Sequence, residues 1–164
     1  MIGNDVVDMA LAKAESNWKR PGYLQKIFTA GEQIMISSSL NKDSKVWDLW
    51  SRKEAAYKIY NRQTEIRSYI PLEFECFDLE IIDGDYYGKV ICRGREYYTK
   101  TTITVARIDT IAVISKDDFI KVQYLAKDII IQKNKGVPNY FDDRVIKPLS
   151  ISHHGAFKSI VALL

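Results

Sequence analysis

The spacing of apolar residues changes once along this chain, and that change restricts the folds it can adopt. Residues 1–8 are rich in apolar residues and predict a strand, whereas residues 10–61 follow the helical repeat. From Leu72 to Ser115, apolar and polar residues alternate as they do in half-buried strands. The sequence therefore predicts an α+β fold, with helices packed against one mainly antiparallel sheet.

Turn and capping residues divide the helical region. Pro21-Gly22 and the polar segment 37–43 are expected to interrupt it. The longest helix is expected to begin after Asp43-Ser44, because either side chain can accept a hydrogen bond from the free N–H groups of a first turn. Segment 61–71 is predicted to be a loop, since the residue before its proline avoids helical geometry.

The last part of the chain is predicted to hold one more helix and a closing pair of strands. Asp117 or Asp118 can cap a helix that runs towards Gln132. Three further elements are expected: a loop at 136–139, and strands at 148–153 and 157–164 that are separated by a turn at Gly155.

Size and composition limit the classes of protein. A chain of 164 residues is long enough for one domain, which is expected to span residues 1–164. Its composition, with 46% hydrophobic and 27% charged residues, excludes a disordered protein. A net charge of +3 is too small for a protein that coats nucleic acid, and no apolar run is long enough to span a membrane. Cys76 and Cys92 suit neither a zinc site nor a disulfide framework. The first residues lack the features of a secretory signal, so a cytoplasmic location is expected.

Asp5 is the first residue with a possible chemical role. It lies two residues after Gly3 at the polar end of an apolar strand, where a carboxylate can bind a hard cation such as Mg²⁺. An aspartate that caps a turn is the alternative, since this is common after Gly-Asn. The segment alone leaves both interpretations open.

Glu54 is the second such residue. It lies four residues after Trp50 and four before Lys58, so the three share one row of the predicted helix. Glu54 and Lys58 can form a solvent-facing pair, which stabilises a helix by roughly 0.2–0.5 kcal/mol. Alternatively, Trp47 and Trp50 partly desolvate Glu54, which suits a metal ligand or a proton acceptor.

The predicted strand near the C-terminus carries the third set. Ser150, Ser152 and His154 share one face, and Ile151 and His153 share the other. His153 is either an ordinary core histidine or part of an anion site, because hydroxyls and an imidazole beside a glycine turn suit phosphate oxygens.

No sequence signature of a hydrolase nucleophile, a P-loop or a dinucleotide fold is present. Two carboxylates, several lysines and a Ser/His segment instead favour magnesium-assisted chemistry on a substrate that carries phosphate.

Together these segments resemble the motifs of the 4′-phosphopantetheinyl transferase superfamily, in the order of its single-module holo-acyl-carrier-protein synthase branch. The WxxKEAxxK pattern is the specific one. The segments that carry the resemblance are Ile2–Val7 (GxD), Phe28–Glu32 (FTxxE), Trp50–Lys58 (WxxKEAxxK) and Ser150–His153 (SxSH).

The resemblance implies transfer of phosphopantetheine from coenzyme A to a serine of an apo acyl, peptidyl or aryl carrier protein, with release of adenosine 3′,5′-bisphosphate. Asp5 and Glu54 would hold Mg²⁺, with Mn²⁺ as the alternative, and Glu54 would take the serine proton. Lys58 would neutralise the leaving group. The remaining coenzyme A contacts would come from Lys53, Ser152 and His153.

The resemblance has one departure and one consequence for assembly. Val7 stands where the two-module branch has a second carboxylate, and Asp8 is assigned a structural role. Because the chain has room for one module, the site is expected between subunits of a homo-oligomer. A trimer is expected, with a dimer as the alternative, and Ser152 and His153 would come from the neighbour.

The partner is expected to be an acidic carrier protein, steered by the basic cluster Lys19, Arg20 and Lys26. Two rival hypotheses stay open. One is a non-catalytic module that binds a carrier protein or a nucleotide. The other is a nucleic-acid-binding module with tyrosine-rich strands, which the small net charge disfavours.

Overall fold

In a computed structural model, the described residues of the chain form a layer of helices and two antiparallel sheets of five strands each. The structure describes residues 1–134, 136–142 and 145–164. The predicted α+β class is confirmed, but the strands form two sheets where one was expected. No helix within these described ranges is long and apolar enough to cross a membrane.

Four helices follow the first strand: α1 Met9–Glu15, α2 Tyr23–Ile27, α3 Ala30–Ser38 and α4 Lys42–Thr64. The predicted start of α4 after Asp43-Ser44 is wrong, because the Asn41 side chain caps the helix by accepting from the Ser44 N–H. The loop expected from residue 61 begins late, since α4 continues to Thr64 and ends where Glu65 adopts a left-handed conformation.

The first sheet holds β1 Ile2–Asp8, β2 Glu75–Ile82, β3 Asp85–Cys92, β4 Arg95–Ile103 and β5 Arg107–Val113. Its order is β1-β5-β4-β3-β2, which leaves β1 at one edge. The helices cover one face of this sheet, and the main core lies between them. Val46, Leu49, Ala56 and Ile59 of α4 are almost fully buried there.

The second sheet holds β6 Val122–Tyr124, β7 Gln132–Asn134, β8 Val137–Asp142, β9 Val145–His154 and β10 Phe157–Leu163, in the order β6-β10-β9-β8-β7. The two predicted C-terminal strands are confirmed as β9 and β10. The helix expected from Asp117 or Asp118 is wrong: a short 3₁₀ turn, Lys116–Lys121, leads directly into β6. Phe119 and Val122 are held there by packing on Ile2 and Val161.

The loop expected at 136–139 is also wrong in part, because Pro138 and Asn139 lie within β8. Pro138 lies near the start of β8 and outside the β8–β9 register, which begins at Asn139, and a proline is tolerated at such a position.

Candidate active site

Gly3 sets the distance between β1 and α4. A methyl group on Gly3 would overlap the backbone carbonyl of Ala55, so only glycine allows the strand to pack this closely on the helix. The close packing brings Asp5 of β1 near Glu54 of α4, and the two carboxylates repel each other electrostatically. Gly3, Asp5 and Glu54 are therefore brought together by one contact, between β1 and α4.

Glu54 lies in a partly desolvated position. Burial, and then the negative charge of Asp5, raise its pKa to about 7, while Lys58 and Tyr69 act in the opposite direction. This agrees with the desolvated interpretation of Glu54 rather than the solvent-facing pair. A carboxylate with a pKa near neutrality suits proton transfer.

An aromatic cluster forms the wall beside Glu54. The Tyr69 ring packs on Trp50, Tyr57 and Phe74, with ring centroids 5.9, 4.7 and 5.6 Å away. The buried Tyr69 hydroxyl has no partner with good hydrogen-bond geometry, but it lies close enough to Glu54 to lower the pKa of that carboxyl. The sequence analysis missed Tyr69, because nothing in its local pattern marks a contact with Glu54.

Asp5 is held by groups from two elements, α4 and β9. Burial raises its pKa, and the charge of Lys58, the hydroxyl of Ser152 and the hydroxyl of Ser51 oppose that rise. The Ser152 hydroxyl on β9 donates to Asp5 Oδ1 at 3.1 Å. The Ser51 hydroxyl is fully buried and has no partner with good geometry.

Asp5 and Glu54 fit a magnesium site better than a zinc site. In the described ranges no cluster of three or more His, Cys, Asp or Glu side chains could hold a metal. Mg²⁺ binds through one or two carboxylates and takes its other oxygens from water and substrate phosphates. Two half-buried carboxylates that repel each other suit such a cation, because its charge would favour both ionised forms.

Lys58 lies on α4 one helical turn after Glu54 and on the same face of the helix. Its ammonium donates to the carbonyls of Asn4 on β1 and Ile151 on β9, at 2.5 and 3.1 Å. An ammonium has three N–H donors, so one remains for a further acceptor. Burial lowers the pKa of Lys58, and the charges of Asp5 and Glu54 oppose that change.

A groove of about 1230 Å³ opens beside Lys58, between the C-terminal half of α4 and the β7–β8 hairpin. Arg62 and Arg67 add positive charge to its wall, and Ile151 lines it from β9. His153 shares the strand face of Ile151 and is exposed. The groove is therefore a basic cleft that begins at Lys58, one helical turn from Glu54, and suits a phosphate-bearing ligand.

Ser152 does not occupy the position expected of it. It was expected to come from a neighbouring subunit and to contact the coenzyme A phosphate. The structure instead places it beside Asp5 of the same chain, where its hydroxyl donates to Asp5 and accepts from the Val6 N–H at 2.8 Å. Both interactions lie within one chain and join β9 to β1.

Lys53, which was expected to contact coenzyme A, lies inside the protein. It is fully buried, and its ammonium donates to Glu32 Oε2 at 2.7 Å and to the carbonyls of Ile27 and Pro71, both at 2.9 Å. All three donors are used inside the protein. Its partner Glu32 also forms a capping box with Thr29, which begins α3. The FTxxE segment therefore caps this helix through Thr29 and Glu32, and Glu32 is also the buried counter-ion of Lys53.

Asp8 has the structural role assigned to it. Its carboxylate caps α1 through the N–H groups of Ala10 and Leu11, and its second oxygen accepts from Ala156 N. Gly155 is required beside it, since the backbone there has φ 54° and a side chain would collide with the Asp8 carboxylate.

The basic cluster of Lys19, Arg20 and Lys26 is exposed. Lys19 lies over the Trp18 ring and Arg20 over the Tyr23 ring, at 5.3 and 5.1 Å from the ring centroids. These stacked positions hold the two charges at the surface, where they can act on an approaching partner.

Comparisons with known proteins give one family match. A model of the 4′-phosphopantetheinyl transferase superfamily matches residues 1–105, which include Asp5, Glu54 and Lys58 and exclude β9. No curated protein matches the chain significantly. The solved structures with similarity include the crystal structure of Thermotoga maritima holo-[acyl-carrier-protein] synthase. It is 13% identical, with 98% of this chain and 81% of that chain covered and a TM-score of 0.49.

Proposed function

The chain belongs to the 4′-phosphopantetheinyl transferase superfamily, and on this premise we propose that it modifies a serine of an apo carrier protein, with coenzyme A as donor and Mg²⁺ as the metal. Adenosine 3′,5′-bisphosphate is the second product. The observation that carries the proposal is the contact between β1 and α4, which brings the half-buried Asp5 and Glu54 together one helical turn from Lys58 and its basic groove.

Asp5 and Glu54 are the proposed metal ligands. Mg²⁺, or Mn²⁺ in its place, would gather negative charge on the coenzyme A pyrophosphate when bound there. Glu54 is also the proposed proton acceptor. The carrier serine oxygen attacks the pantetheine-side phosphorus, the phosphoanhydride bond breaks, and the serine proton passes to Glu54 directly or through water. The electron pair of the broken bond leaves with the bisphosphate.

Lys58 and the groove bind the donor in this proposal. The third N–H of Lys58 would contact the pyrophosphate, where its charge stabilises the leaving group. Arg62 and Arg67 would contact phosphates farther along the groove, with His153 at its edge. Lys58 and Glu54 are thus the proposed catalytic residues.

The carrier protein is proposed to be acidic and to approach the cluster of Lys19, Arg20 and Lys26. Attraction between exposed charges is screened by salt, so the association rate should fall as ionic strength rises. We assign the enzyme to the holo-acyl-carrier-protein synthase type because the motif order fits that branch. A homo-oligomer remains part of the proposal, and its subunit number is measured by light scattering.

The test uses intact mass spectrometry of a panel of apo carrier proteins incubated with the enzyme, coenzyme A and Mg²⁺. A gain of about 340 Da, the mass of one phosphopantetheine, that disappears with a chelator supports the proposal. Glu54→Gln is the matched control: it keeps the size of the side chain and should lose activity by orders of magnitude. Bound coenzyme A without any mass gain would favour a non-catalytic binding module instead.

A further inference from the structure

The segment that follows α4 folds back along the helix and carries Tyr69. Two side chains of α4 hold its backbone in place. The Tyr57 hydroxyl donates to the carbonyl of Arg67 at 2.7 Å. One helical turn later, the Asn61 amide donates to the carbonyl of Ile66 at 2.8 Å. These hydrogen bonds fix the backbone on which Tyr69 lies, so its position depends on α4 itself.

The ring of Tyr69 lies across α4 at the level of Glu54. Trp50, Glu54 and Tyr57 follow one another at i, i+4 and i+7, so they share one face of the helix. The Tyr69 ring packs on the first and the last of these residues, with ring centroids 5.9 and 4.7 Å away. Glu54 lies between them, which agrees with the effect of the Tyr69 hydroxyl on the pKa of its carboxyl.

The hydroxyl of Tyr69 is buried and has no well-aligned hydrogen-bond partner among the described residues. A buried donor without an acceptor is costly, so a phenylalanine would fill the same space at lower cost. A phenol keeps its proton at neutral pH and can donate it to an acceptor. The nearby acceptor is the half-buried carboxylate of Glu54, whose two oxygens offer about four acceptor sites.

We propose that Tyr69 is a positioning residue, whose hydroxyl donates to the Glu54 carboxylate during the reaction and orients it towards the metal and the carrier serine. This rests on the proposed function of Glu54 as metal ligand and proton acceptor. Carboxylates that bind a metal are themselves hydrogen-bonded in most sites, and one donor leaves acceptor sites on Glu54 for both the metal and the proton. The buried hydroxyl then has an acceptor, which explains why a tyrosine fills this position.

The variant Tyr69→Phe removes the hydroxyl and keeps the ring that packs on Trp50 and Tyr57. Because this hydroxyl has no well-aligned partner, the urea midpoint should stay the same or rise. Tyr140→Phe is the matched control. The Tyr140 hydroxyl is also buried without a partner among the described residues, but it lies in the core of the second sheet. Its loss should leave metal binding and transfer unchanged.

The first test measures metal binding rather than turnover. Loss of a group that orients a metal ligand typically lowers metal affinity about 10–100-fold. Mn²⁺ titration followed by electron paramagnetic resonance should show this loss in Tyr69→Phe, with wild-type affinity in Tyr140→Phe. An Mn²⁺ affinity of Tyr69→Phe equal to that of the wild type would overturn the inference.

The second test separates kcat from KM in transfer to a carrier protein. Orientation of the proton acceptor acts on the chemical step, so kcat of Tyr69→Phe should fall about 10–100-fold while the KM for coenzyme A stays unchanged. A raised KM with the wild-type kcat would make the hydroxyl a donor-binding group and overturn the inference.

These outcomes separate the inference from the proposed function. Wild-type protein that binds Mn²⁺ but transfers nothing to any carrier contradicts the proposed function, whereas the Mn²⁺ affinities of wild type and Tyr69→Phe still decide whether Tyr69 orients Glu54. Wild-type transfer combined with an unchanged kcat in Tyr69→Phe contradicts only the inference.

Discussion

Replacing Lys53 by methionine separates the structural role of this residue from a role in binding coenzyme A. Both Lys53 and Glu32 are fully buried, and the change removes the ammonium while keeping most of the side-chain volume. Glu32 keeps the N–H groups of Thr29 and Cys76 as donors, both at 2.8 Å, but loses its counter-ion.

The expected cost follows from burying an unpaired charge. Breaking a buried ion pair by removing one partner costs about 3–5 kcal/mol, and the two remaining donors to Glu32 favour the lower end of that range. With an m-value of about 2 kcal/mol/M, a loss of about 3 kcal/mol moves the urea midpoint down by about 1.5 M.

Urea unfolding of four proteins tests this: wild type, Lys53→Met, Glu32→Gln and the double variant. The double variant should be more stable than the sum of the two single losses predicts, because neither charge remains buried alone. The folded fraction of Lys53→Met should keep the wild-type KM for coenzyme A. An unchanged urea midpoint together with a raised KM would refute the structural role and restore Lys53 as a substrate contact.

Three further predictions concern the packing of β1 on α4, the pH dependence of the free energy of unfolding, and the groove beside Lys58. Gly3→Ala should destabilise the protein by about 1–3 kcal/mol in urea unfolding and weaken Mn²⁺ binding, because β1 must move away from α4. Gly31→Ala is the control in both measurements. A methyl group at position 31 would make only ordinary contacts, so neither loss is expected there. Burial raises the pKa of Asp109 from 3.8 to about 6, so the folded state binds a proton that the unfolded state has lost, and the free energy of unfolding should fall by about 2 kcal/mol as the pH rises from 4 to 7. Asp109→Asn should remove this part of the pH dependence in urea unfolding, and identical pH profiles for the two proteins would contradict the assignment. His153→Ala should raise the KM for coenzyme A without changing the urea midpoint, since the side chain is exposed; a change confined to the KM for the carrier would place His153 outside the donor site.

Local patterns were sufficient for those parts of the fold that depend on neighbours in sequence. The alternation from Leu72 onwards predicted the strands of the first sheet, and the row of Trp50, Glu54 and Lys58 placed three residues correctly on one helix. The capping aspartates at 117 and 118 misled the prediction, because packing of Phe119 between the sheets overrides a local preference for helix.

The details of the site depend on contacts between distant residues. Val6 and Ser152 are 146 positions apart, and Lys53 and Glu32 are 21 positions apart, so no local periodicity reports either pairing. The motifs therefore identified which residues matter in β1 and α4. They did not show that Lys53 and Ser152 use their polar groups inside the protein.

The most direct measurement of the central claim quantifies both products in one quenched reaction, with the carrier mass gain and the released adenosine 3′,5′-bisphosphate determined from the same sample. Equal amounts of the two products are expected for the wild type, and neither product for Glu54→Gln or in the presence of chelator. Bisphosphate released without modified carrier would indicate hydrolysis of coenzyme A, and would contradict transfer to a carrier serine at the site of Asp5 and Glu54.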